Sequence, residues 1–340
     1  MKTRFILASL VAATSMLISC NKENPIPTPT PEVDEAQKAM PMTRAYGDKT
    51  PKIVVYVETN DVNPLNAGDY FIGDEPFVDI VELFAANIHK ETVNGQVRPT
   101  LYLNDKLAPV LETYAGESMA DLYIRPLQDL GIKVLLTVLG DWEGIGVANM
   151  TDTQAEQFAT ILAYAVEKYG LDGIGFDDEY ANYSGSLVSG SFGNIITKLH
   201  ALLPADKLIT VFAYGNISQI NSTAGALIDY AYTDFTYWNS SPDISGVTNA
   251  KWAPSAYNLG STTITSLVQS YAQDAKNGGY GAIMNFNLRP RSDRDPLSHF
   301  QAISNGCGWG TVTCVDGDQE RDAGSDADGY TIKYSEAAAE

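Results

Sequence analysis

From Lys52 onward, short apolar runs alternate with stretches whose apolar residues recur every three or four positions. The runs are KIVVYVET (52–59), DIVELFAANI (79–88), IKVLLTVLG (132–140), GIGFDDEY (173–180), LITVFAYGN (208–216), IDYAYTDF (228–235) and YGAIMNFNL (280–288). Near-continuous Val, Ile and Leu mark strands buried on both faces, as in a parallel sheet covered by helices. Between two of them, TDTQAEQFATILAYAVEKYG predicts a helix. Thr153 and Glu156 form a capping-box pattern, Phe158, Ile161, Leu162, Ala165, Val166 and Tyr169 share one face, and Gly170 ends it.

Seven such runs, with an eighth expected near SAYNLG (255–260), predict an α/β fold: an irregular (β/α)8 TIM barrel forming one catalytic domain over 51–306. A doubly wound open sheet fits less well, since no GxGxxG follows the first run. LITVFAYGN and IDYAYTDF lie too close in sequence for a full helix and two loops, so at least one helix is expected to be missing or short.

Outside the barrel the pattern changes twice. Lys2 and Arg4 precede the apolar run Phe5–Ser19 and then Cys20, the order of an export signal, and the run is too short to span a bilayer comfortably. Leu17-Ile18-Ser19-Cys20 resembles a lipobox. That resemblance implies a lipoprotein signal peptide over 1–19 and a lipid on Cys20, and an ordinary signal peptide is the alternative. Residues 20–50 are rich in Pro and Thr and read as a lipidated flexible linker. Lys22 is not the Asp that marks inner-membrane retention in many such proteins. The expectation is an outer-membrane lipoprotein of a Gram-negative bacterium facing the cell surface, touching membrane only through its anchor.

Residues 307–340 read as a solvated acidic tail. Their spaced acids suggest a calcium loop, but no register supplies both the Gly and the Glu that an EF-hand needs. Export makes a Cys307–Cys314 disulfide possible, with two unpaired thiols as the alternative. His89, His200 and His299 are widely spaced, and no zinc spacing surrounds the cysteines, so no metal or other cofactor is expected.

The formal net charge of −20 over 340 residues argues against nucleic acid and suits a neutral substrate such as a sugar. Against that background, KYGLDGIGFDDEYANY (168–183) is the chemically loaded segment. Asp172, Asp177, Asp178 and Glu179 stand in an otherwise apolar strand, where burying ionised carboxylates costs several kcal/mol each, about what unpaired charges demand. Alternation puts Gly175, Asp177 and Glu179 on one face and Ile174, Phe176 and Asp178 on the other. Ile174 and Phe176 must pack under helices, which sends Asp177 and Glu179 to the interior of the barrel mouth, where barrel enzymes keep their chemistry. Two enclosed carboxylates raise each other's pKa and divide into acid and anion, the pair that glycoside hydrolysis uses. Asp172 is expected to be structural and Asp178 to cap a loop.

These residues carry a family resemblance. DGIGFDDE resembles the DGxDxDxE signature of glycoside hydrolase family 18, with Asp172, Gly173, Asp177 and Glu179 on matching positions. LDGIGFDDEYANY resembles the endo-β-N-acetylglucosaminidase H branch, and VETNDVNPLNAGDY (57–70), FAANI (84–88), IRPLQDLGIKVLLTVLG (124–140) and YGAIMNFNLRPRSDRD (280–295) extend the likeness. Gly175 departs from the signature, which usually has Asp there; some members of the branch share this departure.

The resemblance implies cleavage of the GlcNAc-β1,4-GlcNAc core of N-linked, high-mannose glycans with retention of configuration. The substrate's own acetamido oxygen attacks, Asp177 orients it and stabilises the oxazolinium-like intermediate, and Glu179 is acid and then base. Tyr214 is a candidate partner of the acetamido carbonyl or a core tyrosine. Trp142, Glu143, Tyr237, Trp238 and Asn239 are candidate substrate-binding residues at the mouth, or loop residues that only pack. Partners are then N-glycosylated glycoproteins or released N-glycans, and a monomer is the default. Two alternatives stay open: a chitinase-like hydrolase, and a catalytically impaired glycan-binding surface lipoprotein.

Overall fold

The structure is a computed structural model that describes residues 49–339 except 115, 184, 186, 262–263, 289–295 and 316–327. The signal peptide, Cys20, most of the linker, part of the last block of family likeness and the middle of the expected tail lie outside the described residues. Ten strands matter: β1 (Lys52–Glu58), β2 (Ile80–Val93), β3 (Gln96–Leu103), β4 (Lys133–Gly140), β5 (Gly173–Phe176), β6 (Leu208–Phe212), β7 (Tyr230–Tyr232), β8 (Trp252–Ala253), β9 (Ala256–Asn258) and β10 (Ala282–Phe286). All but β3 pair in parallel in the order β8-β7-β6-β5-β4-β2-β1-β10-β9. Only Pro254 and Ser255 separate β8 from β9, so one interrupted strand supplies both edges and nearly closes the barrel. Pro254 has no N–H to give a ladder, which accounts for the break. The expected eighth strand is therefore present.

Alternation along the strands makes two cores. Ile53, Val55, Val134, Leu136, Ile174, Phe176, Ile209 and Val211 point outward and pack with the helices, whereas Val54, Tyr56, Ile80, Leu135, Phe212, Tyr232 and Met284 fill the barrel. Four long helices cover the outside: α1 (Asp152–Tyr169), α2 (Ser191–Leu202), α3 (Thr265–Asn277) and α4 (Pro296–Cys307). The cap of α1 lies two residues before the expected one. Thr151 Oγ1 accepts from Gln154 N at 3.3 Å, and Thr151 N donates to Gln154 Oε1 at 2.9 Å. Thr151 is extended (ψ 166°), as a cap must be, whereas Thr153 is already helical. Gly170, at φ 59°, ends the helix in the left-handed region, as expected.

The barrel is irregular, as expected, and at more places than the one the sequence spacing located. Between β6 and β7 only the turn Ile217–Gln219 and the short helix Ser222–Ala226 intervene, as the spacing required. After β2 the chain makes a hairpin: β2 continues to Val93, turns at Asn94 and Gly95 (φ 51° and 77°) and returns antiparallel as β3. Asn-Gly is a strong two-residue hairpin signal, and the reading passed over it.

The C-terminal segment is not simply a solvated tail. Val312–Cys314 pairs antiparallel with Tyr70–Ile72, and Tyr330–Lys333 with β3. Ile332 is fully buried, and the helix Tyr334–Ala337 docks on α1. There Lys168 Nζ lies 2.9 Å from Glu112, 3.4 Å from Glu336 and 4.0 Å from the Tyr330 ring centroid. The alternation in GYTIKY was hidden beneath the charge of its neighbours. The Cys307–Cys314 bridge is absent: Cys307 is a free thiol buried in α4, 3.6 Å from the Ala272 carbonyl, and burial pushes its pKa up to about 12.

Among the described residues, no helix is long and apolar enough to cross a membrane, and no group of three or more His, Cys, Asp and Glu is placed to hold a metal ion.

Candidate active site

The acids after β5 divide as the alternation requires. Asp172 is buried and takes Gln128 Nε2 at 2.7 Å, Lys133 Nζ at 2.9 Å and the Val134 N–H at 3.0 Å, so it clamps β4 to β5 at the foot of the strand. Asp178 accepts from the Tyr183 hydroxyl at 2.5 Å and from Asn216 N and Nδ2, both at 2.7 Å. It ties the loop after β5 to the loop after β6. Neither carboxylate has a face left for chemistry.

Asp177 differs. Its N–H continues the ladder to the Val138 carbonyl at 3.0 Å, its side chain is 4 % exposed, and Oδ1 is buried without a hydrogen-bond partner. Burial first, then the charges of Glu179 and Asp178, raise its pKa well above the carboxylate range. Glu179 is only half-buried, and burial raises its pKa as well. The pair therefore holds a proton more readily than free carboxylates do, and its two titrations are coupled. A buried acceptor with nothing to accept is costly in a folded protein, and a ligand N–H is what it lacks.

The main chain fixes this pair. Gly140, Trp142 and Gly144 donate to the carbonyls of Glu179, Tyr180 and Ala181 at 2.9, 2.6 and 3.0 Å, zipping the loop after β4 to the loop after β5. Gly140 allows it, since a Cβ there would lie 2.3 Å from Ala181 Cα.

Asp177 and Glu179 open into a pocket of about 210 Å³ with walls that sequence reasoning missed: Tyr56, Glu58, Phe84, Tyr180, Phe235 and Phe286 among them. Phe212, Phe235 and Phe286 form a chain of rings with centroids 5.1 and 5.7 Å apart. Each sits at the mouth end of a barrel strand or in the loop after it, which is the signal that could have singled them out. Below Asp177, inside the barrel, Glu82 was also missed. It is fully buried and receives Thr137 Oγ1 at 2.8 Å, Thr210 Oγ1 at 2.5 Å and the Tyr232 hydroxyl at 3.2 Å.

The expected binding residues separate into two groups. Tyr214 stacks on Phe212 and meets Phe235 at 5.8 Å, so it continues the aromatic wall; it is 41 % exposed and not a core residue. Trp142 is exposed at the rim, its ring 5.8 Å from Tyr180, which lines the pocket. Glu143 lies beside it, 3.8 Å from Lys90 of the hairpin. Tyr237 is exposed and rests on buried Tyr257 at 6.0 Å.

Trp238 and Asn239 do not join the site. Trp238 stacks on Tyr271 of α3 at 5.1 Å and meets Tyr280 at 5.7 Å, on the outer layer. Asn239 closes its own loop, donating to Asp243 at 2.7 Å while its carbonyl takes the Trp252 indole N–H at 2.8 Å. The chain after β7 turns outward within a few residues, so position after a strand was a poor guide there.

No family model matches the chain. It is similar to an endo-β-N-acetylglucosaminidase of Flavobacterium sp. (strain SK1022), 36 % identical over 257 residues that cover 72 % of this chain and 77 % of the relative. It is also similar to endo-β-N-acetylglucosaminidase F1 of Elizabethkingia meningoseptica, 31 % identical over 231 residues, 64 % of this chain and 66 % of the relative. Among solved structures it resembles EndoBT-3987 of Bacteroides thetaiotamicron with a Man5GlcNAc product: TM-score 0.66, 27 % identity, 79 % of this chain and 63 % of that one. The same enzyme with a Man9GlcNAc2Asn substrate matches at TM-score 0.66 and 25 % identity, covering 79 % of this chain and 68 % of that one. The chain thus spans just under two thirds of the Elizabethkingia relative and of the product complex. With the Asp177–Glu179 pair at the mouth of a parallel barrel and a curated relative matched over most of its length, the chain belongs to the endo-β-N-acetylglucosaminidases of glycoside hydrolase family 18.

Proposed function

We propose that this protein hydrolyses the GlcNAc-β1,4-GlcNAc core of N-linked glycans, of the high-mannose class, by a retaining, substrate-assisted mechanism. The observation that carries the reading is the buried, unpartnered Oδ1 of Asp177 beside a half-buried Glu179 in an aromatic-walled pocket. The named activity of the relatives, and the Man5GlcNAc and Man9GlcNAc2Asn glycans held by EndoBT-3987, support it.

In the free site the proton of the pair favours Asp177, the more buried acid. A 2-acetamido N–H donating to Oδ1, and positive charge growing beside it, favour the Asp177 anion and shift the proton to Glu179. Glu179 then protonates the glycosidic oxygen as the acetamido oxygen attacks the anomeric carbon from the other face. The leaving group is the GlcNAc still attached to asparagine. Glu179, now an anion, takes a proton from water, which opens the oxazolinium ring and restores the original configuration. Tyr214, Trp142 and Tyr237 supply rim aromatics for the mannose-bearing arm.

A high-mannose glycoprotein treated with protein lacking residues 1–20 should keep one GlcNAc per site and release the rest, as read by mass spectrometry. Cleavage confined to chito-oligosaccharides would replace this reading with a chitinase-like one. Binding without cleavage of any glycan would leave a lectin.

The same reading places the enzyme, as a monomer, on the outer membrane of a Gram-negative bacterium, facing outward and held by a lipid on Cys20. The charged start, the apolar run and the Leu17–Cys20 sequence support this. Palmitate labelling of the full chain that persists in Cys20→Ser would reject it.

A further inference from the structure

Glu82 is a buried acid that the mechanism above leaves without a task, and the barrel is built around it. It comes from β2, two strands away from β5, yet hydroxyls from β4, β6 and β7 converge on its two oxygens: Thr137 on Oε2, Thr210 and Tyr232 on Oε1. Three donors aimed at one carboxylate favour its anion, opposing the upward shift that burial imposes. An apolar side chain would fill the same space at no such cost. Stability therefore does not explain the arrangement.

Gly175 explains where Glu82 points. The register sets Thr137, Gly175 and Thr210 side by side in one layer, and Asp177 is two residues further along β5, one layer nearer the mouth. A Cβ on Gly175 would lie 2.3 Å from Glu82 Oε2 and 2.9 Å from Thr210 Oγ1. Gly175 is not among the glycines with positive φ, so its backbone suits any residue; it is the space of its missing side chain that Glu82 uses. The usual Asp of the signature would displace the Glu82 carboxylate from its place between Thr137 and Thr210. Tyr56, on β1, faces both layers: after burial, the charges of Glu82 and then Asp177 are what raise its pKa.

We propose that Glu82 is the third carboxylate of this site, a fixed anion that sets the charge of Asp177 from the layer below and opposes the positive charge developing on the substrate, in the space that Gly175 leaves open. It is a positioning residue and touches no substrate. The inference rests on the mechanism proposed above. A carboxylate held in place by three hydroxyls before substrate arrives acts on the cationic transition state more than on binding. The hydroxyls of Thr210, Thr137 and Tyr232 bond Glu82, the charges of Glu179 and then Asp178 act on Asp177, and Tyr56 feels both Glu82 and Asp177.

The test compares wild type, Glu82→Gln, Glu82→Ala, Gly175→Asp and the double variant Glu82→Ala/Gly175→Asp on a high-mannose glycopeptide, with thermal unfolding of each. Glu82→Gln should lower kcat about 10-fold, less than loss of a directly contacting group, and leave KM within about 3-fold. The acidic limb of its pH profile should move to lower pH, because removing a like charge makes Asp177 easier to ionise. Gly175→Asp alone should be destabilised and inactive. The double variant, which returns a carboxylate to the same space from the other strand, should exceed Glu82→Ala by about 5-fold or more in kcat. Wild-type kcat and pH profile in folded Glu82→Gln, or a double variant no better than Glu82→Ala, would overturn the proposal. Carboxyl-carbon NMR of Asp177 gives a readout without substrate: its titration should fall to lower pH in Glu82→Gln, and an unmoved titration would overturn the role of Glu82 even if wild type cleaved no glycan. An inactive wild type whose Asp177 titration does respond to Glu82 would instead count against the proposed reaction alone.

Discussion

The N–H of Trp142 donates to the carbonyl of Tyr180 at 2.6 Å, both residues have positive φ (57° and 56°), and their rings lie 5.8 Å apart. Two aromatic residues in a conformation that side chains rarely adopt are held there by the ladder between the loops after β4 and β5. The ladder places an exposed indole over a pocket-lining phenol. Trp142→Ala should raise KM about 3- to 10-fold with kcat within about 2-fold, the pattern of lost stacking, as measured by steady-state kinetics on a glycopeptide. A fall in kcat alone would give Trp142 a different task.

The same ladder depends on Gly140, where a Cβ would meet Ala181 Cα at 2.3 Å and the Glu179 carbonyl at 2.7 Å. Backbone on both sides cannot yield as a side chain tip can. Gly140→Ala is therefore expected to destabilise the fold by at least about 2 kcal/mol and to lower kcat more than it raises KM, because Glu179 moves with the strand end. Denaturant unfolding and kinetics on the same sample check both parts.

The chemistry of the site carries a stability cost that varies with pH. Asp177 has a folded pKa raised by burial and by the charges of Glu179 and Asp178, so the folded state binds its proton more tightly than the unfolded chain. The stability this contributes is present below the unfolded carboxylate range, about pH 4, and is lost as pH rises through the folded pKa. Asp177→Asn removes the loss. Its Tm should exceed that of wild type by about 3 °C or more at mildly alkaline pH, and the gap should close on acidification. Calorimetry across that range would contradict the account if the gap widened toward low pH.

The reach and limits of the sequence follow from the range of the interactions involved. The faces of β5 were legible because alternation is local: Ile174 and Phe176 had to go outward, which put Asp177 inside, and Asp178 met the expectation of a loop cap. Glu82 was not legible, since its meaning depends on Thr137, Thr210 and Tyr232, which lie 55, 128 and 150 residues away in sequence. Trp238 and Asn239 were placed wrongly because the course of a long loop after β7 is set by packing on α3, which has no local signature. The β2–β3 hairpin was legible in Asn94-Gly95, but the spacing located a missing helix only between LITVFAYGN and IDYAYTDF.

The central claim is that Asp177 and Glu179 act as a pair in which Glu179 moves the proton. Its most direct test is single-substrate turnover of Glu179→Gln against wild type on a high-mannose glycopeptide, both with residues 1–20 removed and matched for thermal stability. The account predicts cleavage between the two core GlcNAc residues by wild type and a loss of at least about 10²-fold in kcat for Glu179→Gln. Near-normal turnover in that variant would contradict it.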